Sequence, residues 1–189
     1  MKIGLYFGSF NPIHIGHLII AEHVLNFADI KQLWLVISPQ NPLKVSSTLL
    51  NEYSRLHLIQ TAIEGAINIK ASKVEFNLPK PSYTVDTLTY LTEKYPQHEF
   101  SIVMGSDSFS NITKWKNYET LLKNYMIHIF VRPGFPVANL FEASINVLQA
   151  PLLEISSTHV RKLIKERKSI KFLVPDAVAE EIKSNNYYK

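Results

Sequence analysis

The chain has 189 residues, 46% of them hydrophobic, which is enough to bury the core of one domain and short for two. We therefore predict a single domain over residues 1–189. The absence of cysteine excludes disulfide bonds, thiolate metal sites and a cysteine nucleophile. The sequence has no long apolar run and no signal peptide at its start, so we expect a soluble, cytoplasmic protein without a membrane partner.

The formal net charge of +4 at pH 7 suits anionic partners. The basic residues are dispersed, except for a cluster within residues 161–171. The chain has neither an aromatic-rich RNA platform nor a dense basic stripe, so we expect nucleotides as partners and not nucleic acid. The sequence does not determine the oligomeric state and is compatible with a homo-oligomer.

Hydrophobic periodicity alternates between strand and helix along the chain. Apolar runs predict strands at residues 3–8, 33–37, 71–76, 100–104 and 126–131. Helical spacing predicts helices at residues 14–25, 51–63, 156–164 and 174–182, and one starting at 83, with Asn51 as a candidate N-cap. Weaker signals suggest a helix around Leu140 and a strand at residues 152–154. The alternation predicts an α/β fold, an open parallel sheet with helices on both faces.

The strongest functional signal is the sequence GSFNPIHIGH at residues 8–17, directly after the first strand. Ligands of open α/β sheets bind where strands end and helices begin, because free amides and the positive helix end meet there. Gly8 and Gly16 let the backbone approach a phosphate closely. His14 and His17, three residues apart, share one helix face and can donate hydrogen bonds to phosphate oxygens, which would favour their protonated forms.

Two other interpretations of this histidine pair carry less weight. A zinc site is disfavoured by the lack of cysteine, of a His-Glu-x-x-His motif and of a clear third ligand, so we predict no metal bound by the protein itself. Incidental helix histidines are common, and His23 fits that description. The full pattern of glycines, Asn-Pro turn and two histidines is far more specific than a glycine-rich turn alone.

A second anion-binding signature is the sequence ISSTHVR at residues 155–161. The hydroxyl groups of Ser156, Ser157 and Thr158 can cap the helix that follows, and its free amides can face one anion together with Arg161. A capped amphipathic helix with a basic solvent face explains the same residues almost as well. This motif therefore indicates an anion-binding site only if the amino-terminal motif lies beside it in the fold.

Three further positions before the fourth strand offer ligand contacts, each with an alternative. Lys44 lies in a polar loop, where it could cover a phosphate or simply be solvated. Arg55 lies near a helix start, where the dipole does not favour it, which suggests a ligand or a carboxylate partner. Thr84 or Ser82 could cap a helix or, with the amides there, hold a carboxylate or amide of a ligand.

Two more candidates follow the fourth strand. Asp107, in the turn that starts at Gly105, could accept hydrogen bonds from a ribose or cap the next helix. Trp115 lies in a polar stretch between two lysines, and leaving its large apolar ring exposed to water is unfavourable, so another group must pack on it. An aromatic ring of a ligand and burial under Tyr118 or Leu121 are the two alternatives.

Residues 8–18 and 155–161 resemble the signatures of nucleotidyltransferases that carry a His-x-Gly-His motif on a Rossmann-like fold. Over nearly the full length, the chain is similar to bacterial nicotinate-nucleotide adenylyltransferases, through the additional segments 39–44, 82–88, 105–107 with Trp115, and 132–134. The resemblance implies adenylyl transfer from ATP to nicotinate mononucleotide in NAD biosynthesis, giving nicotinate adenine dinucleotide and pyrophosphate. It also implies Mg²⁺, held mainly by ATP phosphates and water.

The resemblance also implies roles for individual residues. Catalysis would rest on His14, His17, Lys44 and Arg161. ATP would contact Gly8, Ser9, Phe10, His14, Gly16, His17, Gly105, Arg132, Ser156, Ser157, Thr158 and Arg161. The acceptor would contact Thr84, Asp107, Trp115 and Lys44, with the tryptophan stacked on the nicotinate ring and Asp107 near the ribose. The loop departs from the family's usual Pro-Pro-His-Lys, because Leu43 stands in place of the histidine.

Other functions stay open at this point. The same chemistry could act on nicotinamide mononucleotide or on phosphopantetheine, although Thr84 beside a helix start favours the acid form of the pyridine nucleotide. An alternative of another class is a non-catalytic nucleotide-binding module, which would bind ATP without releasing pyrophosphate.

Overall fold

A computed structural model describes residues 1–40, 49–138, 141–151 and 154–189. Its strands are β1 (Lys2–Gly8), β2 (Gln32–Ile37), β3 (Ile69–Ser72), β4 (Glu99–Gly105), β5 (Ile127–Phe130) and β6 (Ile145–Leu148). Its α-helices are α1 (Ile15–Phe27), α2 (Glu52–Ala62), α3 (Thr84–Lys94), α4 (Ser106–Phe109), α5 (Tyr118–Asn124), α6 (Ser157–Lys165) and α7 (Asp176–Ser184). Short 3-10 helices lie at Val74–Asn77 and Ile112–Lys114.

The described strands form one sheet in the order β3-β2-β1-β4-β5-β6, and every neighbouring pair is parallel. The chain runs outward from β1 to β3, crosses back to the other side of β1, and runs outward again from β4 to β6. The direction of winding therefore reverses between β1 and β4, where a crevice opens at the carboxyl ends of the strands. The predicted open parallel sheet is confirmed.

Helices cover both faces of the sheet, as predicted. One buried cluster joins α1, α2, α6 and α7 to the sheet, with Val24 and Val178 among its members. A second cluster joins α3, α4 and α5 to the opposite face, through side chains such as Leu88 and Leu121. Because the central strands are covered on both sides, they appear in the sequence as continuous apolar runs.

The two strands at the edges of the sheet differ from the prediction. The strand expected at residues 71–76 begins earlier, as β3, and a 3-10 helix takes its second half. The outermost strand on the other side is β6, and Glu154 is not in a strand. Edge strands are exposed on one side, so their apolar pattern is weaker than that of central strands. Leu140 and residues 152–153 lie outside the described residues.

The amino-terminal capping prediction for α2 is confirmed, since Asn51 Oδ1 accepts a hydrogen bond from the Tyr53 backbone at 2.9 Å. Among the helices that the structure describes, none combines the length and apolar character that a membrane crossing requires.

Candidate active site

The two anion-binding signatures meet at the crevice. Ser157 Oγ donates a hydrogen bond to the carbonyl oxygen of Pro12 at 2.8 Å, and Arg161 Nη1 donates to that of Asn11 at 2.7 Å. A second nitrogen of the same guanidinium group donates to Thr158 Oγ1 at 3.3 Å. The start of α6 is therefore joined directly to the loop between β1 and α1, although the two segments are far apart in the sequence.

The start of α6 also has the predicted cap. Ser156 is the N-cap residue, and its Oγ accepts a hydrogen bond from the His159 backbone at 3.2 Å. Only one of the three neighbouring hydroxyl groups caps the helix. Those of Ser157 and Thr158 instead connect to the amino-terminal loop and to Arg161.

The two histidines lie side by side at the start of α1. His14 is the N-cap residue, and its ring stacks on that of His17 with the centroids 3.6 Å apart and the planes inclined by 23°. Nδ1 of His17 accepts a hydrogen bond from the His14 backbone N–H at 3.3 Å. A neutral His17 ring must then carry its proton on Nε2, which makes that atom a hydrogen-bond donor in a fixed ring.

The other ring, that of His14, is buried. It is 4% exposed, and its Nδ1 has no hydrogen-bond partner among the described residues. Burial, together with the positive charge of Arg132, lowers the pKa of His14 to about 4. The ring is therefore neutral at pH 7, and its protonated form requires a neighbouring anion, as the sequence interpretation assumed.

Gly16 and Gly8 make room for rings. A Cβ at Gly16 would lie 3.1 Å from Nδ1 of His14, and one at Gly8 would lie 2.9 Å from the ring of Phe10. Phe10 itself is 2% exposed, has a left-handed backbone with φ of 45°, and meets the His17 ring edge-on at 5.0 Å. Its side chain therefore supports the histidine pair from within the core.

A narrow cleft lies beside the histidine pair, lined by His14, Gly16, Arg132 and Ile155 among others. The Nε of Arg132 is buried and has no hydrogen-bond partner within the described part of the chain. The backbone N–H of Arg132 donates to Ser106 Oγ at 2.8 Å, which ties the end of β5 to the end of β4. Buried donors without acceptors are costly, so this cleft suits an anionic ligand that would satisfy them.

A second group of predicted residues gathers at the start of α3. Lys116 Nζ lies 2.8 and 3.0 Å from the carboxylate oxygens of Asp86 and 4.7 Å from the ring centroid of Tyr83. These contacts tie the segment that contains Trp115, the residue before Lys116, to the start of α3. Trp115 is half-buried and, like Tyr118, packs against the core cluster that contains Leu121.

The predicted capping roles at two helix starts are wrong. The N-cap residue of α3 is Tyr83, and neither Ser82 nor Thr84 caps it. The N-cap residue of α4 is Gly105, and Asp107 lies inside that helix without capping it. The Asp107 carboxylate instead folds back against Gly105, in the space that a Cβ there would need, and stays partly exposed.

Arg55 has a structural role that differs from the prediction. Its side chain is fully buried and donates hydrogen bonds to the carbonyl oxygens of Ser9, Ser38, Leu50 and Pro39 at 2.6 to 3.3 Å. The expected ligand or carboxylate partner is therefore replaced by backbone groups. Arg55 fixes the loops after β1 and β2, and nothing in the sequence identifies the carbonyl groups it binds.

Glu75 is a buried residue that the sequence did not single out. It is 1% exposed, and its Oε1 accepts a hydrogen bond from Thr87 Oγ1 at 2.9 Å. Burial raises the pKa of its carboxyl group, and the nearby hydroxyl groups of Thr87, Ser38 and Ser82 oppose that shift. The carboxyl group thus links the 3-10 helix after β3 to the first turn of α3.

Lys44 and Leu43 lie outside the described residues, so the geometry of the predicted loop lysine is not part of this site. In the described ranges, no group of three or more His, Asp or Glu side chains could hold a metal ion. The parallel sheet and the anion-receptive cleft at its switch point define an α/β nucleotide-binding protein.

Comparisons with known proteins refine this class. A family model described as cytidylyltransferase-like matches residues 5–163. A protein of Flavobacterium johnsoniae with the curated name "Probable nicotinate-nucleotide adenylyltransferase" is 52% identical, with 100% of both chains covered. A protein of the same name from Bacteroides thetaiotaomicron is 38% identical, and the match covers 97% of this chain and 91% of that one.

A solved structure shows the same fold. The nicotinic acid mononucleotide adenylyltransferase of Plasmodium falciparum, complexed with NaAD, superimposes with a TM-score of 0.85 at 23% identity, covering 99% of this chain and 97% of that one. The chain belongs to the cytidylyltransferase-like family and, within it, to the nicotinate-nucleotide adenylyltransferases. It is therefore a nucleotidyltransferase, and the family and enzyme class that its motifs resemble are confirmed.

Proposed function

We propose that the protein transfers the adenylyl group of ATP to nicotinate mononucleotide, giving nicotinate adenine dinucleotide and pyrophosphate in NAD biosynthesis. The observation that carries this proposal is the junction of residues 11–12 with Ser157 and Arg161 beside the stacked histidines. The names of the full-length relatives agree with it.

The triphosphate would lie along this junction. The contributors that we propose are His14, His17, Arg161 and Arg132, with Lys44 from the loop outside the described residues and with backbone at Gly8, Ser9, Phe10, Gly16 and residues 156–158. Arg132 Nε and His14 Nδ1 are buried and have no partner among the residues that the structure describes, which supports this placement, because a phosphate oxygen would accept from the first and raise the pKa of the second. The helix starts of α1 and α6 add amides and positive dipole ends.

The acceptor would bind at the start of α3. Among the described residues no side-chain cap is found for this helix, so its first amides are available to a carboxylate, and Thr84 adds a hydroxyl group there. We propose that Trp115 stacks on the pyridine ring and that Asp107, beside Gly105 at the end of β4, accepts hydrogen bonds from a ribose. The Lys116 contacts tie the segment that contains Trp115 to the start of α3, which supports this placement.

The chemistry needs positioning and charge neutralisation more than proton transfer. A phosphate oxygen of the mononucleotide attacks the α-phosphorus of ATP in line, a new P–O bond forms, and the bond to the β-phosphate oxygen breaks, so pyrophosphate leaves with the electron pair. The nucleophile is already anionic, so no general base is required. Fixed donors such as Nε2–H of His17 and the guanidinium groups would stabilise the charge on the five-coordinate phosphorus and on pyrophosphate.

We propose that Mg²⁺ enters as part of the ATP substrate. The described residues offer no cage of acidic ligands, which agrees with a cation held mainly by phosphate oxygens and water. This chain's own contribution is then the positioning of the triphosphate.

A pyrophosphate-release assay tests the proposal. ATP with nicotinate mononucleotide should give pyrophosphate at a higher kcat/KM than ATP with nicotinamide mononucleotide, because the start of α3 favours a carboxylate. Phosphopantetheine should give no product. A faster reaction with the amide form would reverse the acceptor assignment, and ATP binding without any pyrophosphate would favour a non-catalytic module.

A further inference from the structure

A second concave surface lies away from the crevice, between α3 and the β2–β3 side of the sheet. We call it the edge groove and define it by Trp34, Lys70, Lys73, Tyr90, Lys94 and Tyr95. It encloses about 330 Å³, which is within the range of small-molecule sites. None of the roles assigned above uses these residues.

Aromatic rings form a rigid corner in the edge groove. The rings of Trp34 and Tyr95 are perpendicular, with their centroids 6.3 Å apart, and Phe100 packs edge-on against the indole at 5.9 Å. The indole Nε1–H donates to Gln32 Oε1 at 3.3 Å, which fixes the ring further. Trp34 is nevertheless only half-buried. A fixed and partly exposed indole offers a surface on which a flat ring can stack.

Positive charges surround this corner. Lys70 pairs with Trp34 in the β2–β3 register and so lies on the same face of the sheet, and Lys73 follows the end of β3. Lys94 lies across the groove on α3, where its Nζ donates to the Tyr90 hydroxyl at 2.9 Å and lies 5.6 Å from the Tyr95 ring centroid. Among the described residues that line the groove there is no Asp or Glu. A ligand that complements it must be anionic.

We propose that the edge groove binds a nucleoside phosphate. The base would stack in the corner between Trp34 and Tyr95, and the phosphate would lie among Lys70, Lys73 and Lys94. Rings and cations on one small surface favour a ligand that has both a flat base and a phosphate over one that has either alone. This site does not depend on the proposed reaction, because it shares no residue with the crevice.

The two tryptophans of the chain allow a direct test. The full chain, labelled with ¹⁵N, should show two indole N–H signals by NMR, and Trp115→Phe assigns them. Adding AMP should shift the Trp34 signal in a saturable way, with a Kd of about 1 mM or below. Adenosine and ribose 5-phosphate, which carry only the base or only the phosphate, should each bind there at least about tenfold more weakly.

A Lys70→Ala/Lys73→Ala variant provides the control. It should weaken the AMP effect on the Trp34 signal at least about tenfold, while the AMP effect on Trp115 and the rate of pyrophosphate release stay at wild-type values. An unchanged Trp34 response in this variant, once its fold is verified by circular dichroism, would overturn the proposal. An AMP response confined to the Trp115 signal would also overturn it. Ribose 5-phosphate binding as tightly as AMP would overturn it as well, because the groove would then be only an unspecific anion-binding patch.

Discussion

His17 is held by its neighbours, so its role can be separated from folding. Its Nδ1 accepts from the His14 backbone and its ring rests on Phe10. His17→Ala should lower turnover by about 10²-fold or more, through loss of one preorganised donor, while the fold stays intact. Pyrophosphate release and circular dichroism measure the two effects. His23→Ala, on the same helix, is the matched control and should keep wild-type turnover; a folded His17→Ala variant with normal turnover would refute the assignment.

His14 should make stability depend on pH. Burial lowers its pKa from an ordinary value of 6.5 to about 4, so the unfolded chain takes up a proton between these values and the folded protein does not. Stability from the neutral ring is complete above pH 6.5 and is lost as the pH falls toward 4. His14→Asn removes the titrating group.

Urea unfolding across this pH range tests the prediction. On acidification, wild-type protein should lose up to about 3 kcal/mol more unfolding free energy than His14→Asn. Because all other titrating groups are shared, the difference between the two proteins isolates His14. Parallel pH profiles for the two would contradict a depressed pKa.

Trp115 is half-buried at the acceptor side, and its replacement should affect one substrate more than the other. Trp115→Ala should raise the KM for nicotinate mononucleotide about tenfold, since a stacked ring contributes about 1–3 kcal/mol, and should change the KM for ATP little. Trp115→Phe keeps an aromatic ring, so its KM for nicotinate mononucleotide should lie between those of the wild-type protein and of Trp115→Ala. Equal effects of Trp115→Ala on both KM values would count against stacking.

At the scale of elements, the contact between Glu75 and Thr87 holds α3 to the 3-10 helix that follows β3. Thr87→Val would leave Glu75 Oε1 buried without its donor, and we expect a loss of about 1–3 kcal/mol in unfolding free energy. Thr87→Ser keeps the hydroxyl group and should recover most of the loss. Equal stabilities of the valine and serine variants, measured by urea unfolding, would show that the hydrogen bond contributes nothing.

The sequence predicts central elements better than peripheral ones. The strands β1, β2, β4 and β5 are buried on both faces, and their apolar runs place them within about two residues of the observed ends. The predicted position of the edge strand β3 is displaced and β6 has no predicted counterpart, because an exposed face dilutes the apolar pattern. The caps divide by chemistry, since Asn51 and one of the hydroxyl groups at residues 156–158 carry side-chain acceptors that indicate a cap, whereas Tyr83 and Gly105 make no side-chain capping bond.

The predictability of the site depends on the range of the interactions that build it. The motifs at residues 8–17 and 155–161 were recognisable because each is local, a strand end or helix start with its own residue pattern. The carbonyl partners of Arg55 come from three separate segments, and the lowered pKa of His14 follows from burial by tertiary packing. Neither can be read from neighbours in the sequence.

At the scale of the whole molecule, the reversal of winding between β1 and β4 explains why residues far apart in the sequence share one crevice. The β1–α1 loop leaves one side of the switch point, and the ends of β4 and β5 supply Gly105, Asp107 and Arg132 on the other. The chain then returns through α6, whose side chains donate hydrogen bonds to residues 11–12 and so complete one side of the crevice. A ligand at this point touches both halves of the fold.

A crystal structure of the protein with a non-hydrolysable ATP analogue tests the shared pocket most directly. We predict phosphate oxygens within about 3.2 Å of both His17 Nε2 and the Arg161 guanidinium group, so that one triphosphate bridges the starts of α1 and α6. A triphosphate that contacts only one of these helices, or binds outside the crevice, would contradict the account.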